Sequence, residues 1–330
     1  MSRVVRLFFA LAVVGRVVHA ADVIAIVGSH GYSGQIYEPG KGGHLQPDNF
    51  GLDHTIVRPA VASCGCKMYQ SGGQTPAGEW IRDVIEYDFT TGQHHVIAEM
   101  TMGRGGHSMV CNTDETTGTN KLFICGKAPG PVEKSCESCV SGSCERLSAE
   151  LDAPLWYGTM ITVQNILYVF GYQGHKQLST AYDIAFGGQW YELAPFAIDF
   201  ANVDNLYYPD VAVVPGTESD LPTLMLCGGS PSDSAQPICQ MYDVNTDQWT
   251  NAQPLHYARQ AFSLLPSGQL AGTLYAVGGL THGDPRKPTI VEVYSSATQS
   301  WGFAHQLLAQ GNSESEVAVV IDSSCIAGME

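Results

Sequence analysis

Apolar residues along this chain come in short runs, each broken by Gly, Pro, Ser or Asp, and stretches with helical spacing are scarce. Val, Ile, Tyr and Leu dominate the runs, so the pattern predicts many short strands joined by turns. One unit recurs. It has an apolar strand, a turn, a second apolar strand ending in Gly-Gly or its remnant, a loop, a strand carrying Tyr-Asp, a turn, and Trp. The clearest copy starts at Arg259, has Thr273-Leu274-Tyr275-Ala276-Val277-Gly278-Gly279, continues through Ile290-Val291-Glu292-Val293-Tyr294 and ends at Trp301. Upstream copies pair Cys227-Gly228-Gly229 with Tyr242-Asp243 and Trp249, and Phe170-Gly171 with Tyr182-Asp183 and Trp190. Earlier ones pair Gly72-Gly73 with Tyr87-Asp88, where His94 and His95 fall near the Trp position. Weaker copies end at Cys125-Gly126 and at Val27-Gly28.

The unit glycines stand at about 28, 72, 126, 171, 228 and 278, a spacing of about 45 to 57 residues. A four-stranded sheet cannot bury both faces alone, and radial stacking buries them. Gly after the second strand lets the chain turn at positive φ close to its neighbours. This repeat resembles the kelch repeat, and the resemblance covers nearly the whole chain. It implies an all-β fold: a six-bladed kelch-type β-propeller. Ser315 to Ile321 is a lone apolar strand after the last unit. It is expected to pair with the N-terminal unit and close the ring. The third unit lacks Tyr-Asp and Trp, so residues from about 127 to 147, rich in Cys, are expected to form an irregular insertion or a distorted outer edge.

Residues 1–20 read as a secretory signal peptide. Arg3 and Arg6 precede the apolar run Leu7 to Val14, and Val18-His19-Ala20 suits cleavage, although Arg16 interrupts the stretch. Residues 21–330 then form one domain. No later stretch reaches the ~18 apolar residues of a membrane helix. A secreted, extracellular protein with no membrane span is expected, and its ten cysteines should form disulfides. Cys227 and Cys239 flank one loop between adjacent strands and are the expected pair. Cys64 and Cys66 lie too close to bond each other. Cys136, Cys139 and Cys144 lack the second matching pair of a zinc site, so disulfides are expected there too. The formal net charge of -16 excludes nucleic acid as a partner.

The repeat also resembles the central domain of galactose oxidase and glyoxal oxidase. Their copper site uses a Tyr cross-linked to a Cys, a Tyr directly followed by His, and a His from a separate domain. No Tyr-His pair occurs here, and His256-Tyr257 is the reverse order. Sialidase boxes, the iron-binding stretch of kelch proteins that steer glucosinolate breakdown, and common hydrolase, phosphate-loop and EF-hand motifs are also missing. No cofactor and no metal are expected. Arg58, Arg104 and Arg259 recur at the start of a first strand, where the kelch pattern often has a structural Arg. His107, near another strand start, reads as structural too.

The fold places any ligand site where loops crowd one end of the central channel. Loops after second strands offer His30, Tyr32, Gln74, Lys127, Tyr172, His175, Asp233, His282, Asp284 and Arg286. Loops entering first strands offer Arg104, Trp156, Tyr157, Tyr207, Tyr208, Tyr257 and Arg259. Such aromatics can stack on sugar rings or anchor a peptide. The expected function is non-catalytic binding of an extracellular protein or glycan. The alternative is a carbohydrate-active enzyme, resembling a sialic-acid mutarotase or a degenerate oxidase.

Overall fold

The structure, a computed structural model, describes residues 22–27, 34–46, 48–53, 55–127, 134–173, 176–197, 205–214, 222–230, 235–268, 270, 272–280, 289–309 and 317–326. It is all-β, a propeller-like ring of four four-stranded sheets and one curled eight-stranded sheet. The first sheet contains β1 (Asp22–Val27), β2 (Gly34–Glu38) and β3 (Gly42–Gln46). The second has β4 (Ala60–Cys64), β5 (Lys67–Ser71), β6 (Asp83–Asp88) and β7 (Gln93–Glu99). The third has β8 (Ser108–Thr113), β9 (Asn120–Cys125), β10 (Cys136–Val140) and β11 (Ser143–Arg146). The curled sheet takes β12 (Thr159–Val163), β13 (Ile166–Gln173), β14 (Lys176–Asp183), β15 (Trp190–Glu192), β16 (Asn205–Val214), β17 (Thr223–Ser230), β18 (Cys239–Asp243) and β19 (Gln248–Ala252). The last sheet has β20 (Ser263–Pro266), β21 (Thr273–Val277), β22 (Ile290–Ser295) and β23 (Ser300–Leu307).

The final strand, β24 (Val317–Asp322), returns to pair antiparallel with β1, with Val23 opposite Ile321 and Ala25 opposite Val319. This is the closure the sequence predicts. A disulfide, Cys66–Cys325, ties the segment after β24 to the β4–β5 turn, and Cys64–Cys111 ties β4 to β8. Inside the ring the neighbours run β4, β8, β12, β16, β20, β24 and back to β4.

The repeat motif has a physical account in three of its copies. Tyr242 faces Trp249 across β18 and β19, and Tyr182–Trp190 and Tyr294–Trp301 hold the same register. Their ring centres lie 5.0 to 5.3 Å apart. Each Trp indole N–H donates to a carbonyl in the segment leaving the preceding strands: Trp190 to Ala149, Trp249 to Ala194, Trp301 to Gln253. The Asp after Tyr caps the following turn; Asp88, Asp183 and Asp243 each accept the N–H two residues on. In the second sheet His94 stands opposite Tyr87, at the Trp position.

The third sheet corrects the expected insertion. Residues 136–146 supply β10 and β11, regular third and fourth strands. Cys139 faces Cys144 in the register that Tyr and Trp hold elsewhere, and the two are bonded. A second bond, Cys125–Cys136, sits directly before Gly126. It occupies the same place as Cys227–Cys239, which pairs as expected and directly precedes Gly228.

Two sheets also carry an internal ion pair of one design. Arg104 and Arg259 are fully buried. Each donates Nε to a glutamate 33 residues later, Glu137 at 2.8 Å and Glu292 at 3.1 Å. Each guanidinium also reaches the carbonyl of the glycine ending the second strand, Gly126 or Gly278. The backbone N–H three residues before each Arg, at Thr101 or His256, completes the carboxylate. Every charge is thereby matched, which a buried pair requires.

Two pairs of variants test this architecture. A chain ending at Gln310 with Cys66→Ser should aggregate and lose cooperative unfolding by light scattering and thermal melting. Full-length Cys66→Ser/Cys325→Ser should stay folded with a lowered melting temperature. Arg104→Met should cost about 3–5 kcal/mol in urea titration, because it leaves Glu137 buried and unpaired. Arg104→Met/Glu137→Leu should recover most of that loss.

Candidate functional site at the mouth of the axial channel

A cavity of about 390 Å³ runs down the middle of the ring, lined by residues of β4, β8, β12, β16, β20 and β24. Its lining includes Arg58, Gly106, Tyr157 and Ala261, each two residues before the start of β4, β8, β12 or β20, and Tyr208 within β16. All five have left-handed backbone, with φ of 58°, 71°, 51°, 58° and 51°. They are linked in series. Gly106 N–H donates to Arg58 O at 2.9 Å, Tyr157 to Gly106 at 2.9 Å, Tyr208 to Tyr157 at 2.7 Å, and Ala261 to Tyr208 at 3.2 Å. The result, among the described residues, is a backbone girdle that links five of the six inner strands at the channel mouth.

A left-handed φ costs a non-glycine residue roughly 1 kcal/mol. Only one girdle position is Gly, and it has its own reason: a Cβ at Gly106 would run into the Tyr157 ring, which lies over it. The Tyr157 and Tyr208 rings sit 4.3 Å apart, and Tyr207 meets Tyr157 edge-on at 5.6 Å. Two cations join them. Arg58 lies 5.7 Å from the Tyr157 ring centre. Lys127 lies 4.6 Å from the Trp156 ring and 4.8 Å from the Tyr157 ring, and donates to the Tyr157 hydroxyl at 3.1 Å.

Lys127 reaches this place because of its register. Gly73 and Gly229 donate N–H to the carbonyls of Arg104 and Arg259; Lys127 donates to Leu155 O in the same way. Lys127 thus occupies the second position of a Gly-Gly pair. Arg58 also differs from its expected class. It is a girdle residue, whereas Arg104 and Arg259 lie two residues before the girdle. The three arginines are not equivalent, and a two-residue offset hides in the sequence that Arg58 stands at the channel mouth.

The other sequence candidates are distributed as follows. Trp156, Tyr157, Tyr207 and Tyr208 come together at the mouth. Arg104 and Arg259 do not; they are enclosed in their ion pairs. Tyr172 is buried at the end of β13, in the core between the halves of the curled sheet. Tyr257 stacks at 5.6 Å on Phe303 of β23, away from this cluster. His30, Tyr32, His175, Asp233, His282, Asp284 and Arg286 lie outside the described residues.

Two titratable groups in the channel wall are shifted. Burial, reinforced by Arg104, pushes His107 down to about 3, so its ring is neutral; Nε2 sits 2.8 Å from Ser71 Oγ. Burial pushes Asp210 up to about 6. Its carboxylate links three inner strands, accepting from Thr159 Oγ1 at 2.8 Å and from Leu264 N–H at 2.7 Å. Among the described residues no group of three or more His, Cys, Asp or Glu could hold a metal. No helix of the described residues is long and apolar enough to cross a membrane. No family model matches the chain, and no curated protein does.

The Asp210 shift carries a signed consequence. Its folded pKa of about 6 lies above the ordinary 3.8, so its contribution to stability is complete below about 3.8. It is lost as pH rises through about 6, a change of about 3 kcal/mol at most. Urea midpoints at pH 4.5 and 7.5 should show this slope in the wild type and a flatter one in Asp210→Asn.

Proposed function

We propose that this protein is a secreted six-bladed kelch-type propeller that binds a saccharide at the mouth of its axial channel without transforming it. The six-blade reading is supported by the curled sheet, whose halves share strand pairing, among the described residues, at Tyr172–Leu206 and Gln173–Asn205 alone. A core cluster containing Tyr168, Phe170, Leu224 and Trp249 lies between those halves, as other clusters lie between separate sheets. The Gly-Gly, Tyr-Asp and Trp roles support the kelch resemblance. Secretion is supported by five disulfides, which belong to an oxidising compartment. The signal peptide expected at residues 1–20 lies outside the described residues.

One observation carries the binding reading: Tyr157 and Tyr208 hold bulky rings on left-handed backbone where Gly would be less strained. Bulky residues at such sites point to a role for the side chain. A cavity of about 390 Å³ suits a small ligand. A stable protein partner would need about 800 Å² of surface. The enzyme alternative has its own support in Asp210, which titrates near neutrality. Against it, Asp210 and the neutral His107 are both engaged in holding the wall.

The disulfide-intact chain should bind on a glycan array and show saturation transfer to the bound sugar by NMR. Tyr208→Gly should keep its melting temperature within a few degrees while losing roughly tenfold or more in affinity. Capture by an extracellular-protein array with no glycan bound would overturn the saccharide reading. Accelerated interconversion of a bound sugar's anomers would overturn the non-catalytic one.

A further inference from the structure

Resting on the saccharide reading, we infer that the mouth selects an anionic sugar, one bearing a carboxylate or sulfate, held by Arg58 and Lys127 over the Tyr157 platform. The first support is pairing. Lys41, Lys67, Arg82, Arg104, Arg146 and Arg259 each hold a carboxylate. Among the described residues Lys121, Lys134 and Lys176 hold none either, Lys134 and Lys176 donating to Asp152 O and Lys121 lying over Phe123. Arg58 and Lys127 are the two without a carboxylate that converge, in a chain of 32 acidic residues against 16 basic ones. Both stand on an aromatic ring instead, and it is the same ring.

The second support is position. Arg58 sits at a left-handed girdle site, and Lys127 sits where other sheets have the second glycine. Neither site needs a long cationic side chain to make the ring. A third feature lets the two cations share one platform. Gly106 leaves the space into which the Tyr157 ring is laid, and a Cβ there would displace it. Trp156 adds a second face under Lys127.

The ligand chemistry follows from these groups. An aromatic face takes the C–H side of a pyranose. A guanidinium fork matches the two oxygens of a carboxylate, or two of a sulfate, and an ammonium adds a point charge. A neutral sugar uses the rings and leaves both charges unanswered; an anionic sugar uses both.

The test uses the disulfide-intact chain and three monosaccharides: methyl β-glucoside, methyl β-glucuronide and glucose 6-sulfate. Affinities are read by NMR titration. At least one anionic sugar should bind roughly tenfold tighter than the glucoside, and which one does so separates a carboxylate site from a sulfate site. Arg58→Gln and Lys127→Met, each checked by its melting temperature, should lose most of that preference, and Lys127→Arg should keep it. Gly106→Ala should lower affinity for the anionic sugar by moving the ring. Equal affinity for all three sugars would overturn this inference and leave the saccharide reading standing. Binding of none, on these probes and on the glycan array, would overturn both.

Discussion

The ring depends on how neighbouring inner strands are joined. They splay apart round the axis, so they cannot share a full ladder of hydrogen bonds. Among the described residues one backbone bond replaces it at each of the four steps from β4 to β20, joining Arg58, Gly106, Tyr157, Tyr208 and Ala261 in turn. The geometry of that bond demands left-handed backbone, and the chain accepts the strain at four non-glycine positions. Deeper in the wall, side chains repeat the tie: Asp210 accepts Leu264 N–H, and Ser263 accepts Ala318 N–H. Closure by β24 and the Cys66–Cys325 bond turns the series into a ring without exposed inner edges.

The same constraint makes the mouth. The girdle residues also line the channel opening. They include Arg58, Tyr157 and Tyr208. The strain that builds the scaffold therefore also displays the chemistry. Arg104 and Arg259, two residues earlier, are turned into the sheet and hold it from within.

The third sheet shows how one role can be filled by different chemistry. A Tyr–Trp pair fixes the outer hairpin elsewhere by ring contact and an indole hydrogen bond. Cys139–Cys144 fixes it here by a covalent bond in the same register. Two buried rings give way to two small side chains, and the adjoining core adjusts with Met109, Leu122 and Ile124.

By itself the sequence determined the strand-rich class, the repeated unit, the Gly-ended second strands, the Tyr–Trp pairs, the closing strand and the Cys227–Cys239 bond. Each of these is local or periodic, and burial with period two or a turn glycine leaves a direct mark on the residues. The companion bond Cys125–Cys136 carried a mark too, a Cys directly before the unit glycine, but the lost Tyr and Trp concealed its repeat. Tertiary structure alone decided that Cys64 and Cys66 reach Cys111 and Cys325, partners 47 and 259 residues away. It alone decided that Arg58 belongs to the girdle and that Lys127 stands in a glycine's place. The physical reason is register. Loops of unequal length hide a two-residue offset, and only the circumferential hydrogen bonds show which residues are equivalent and which way their side chains must turn.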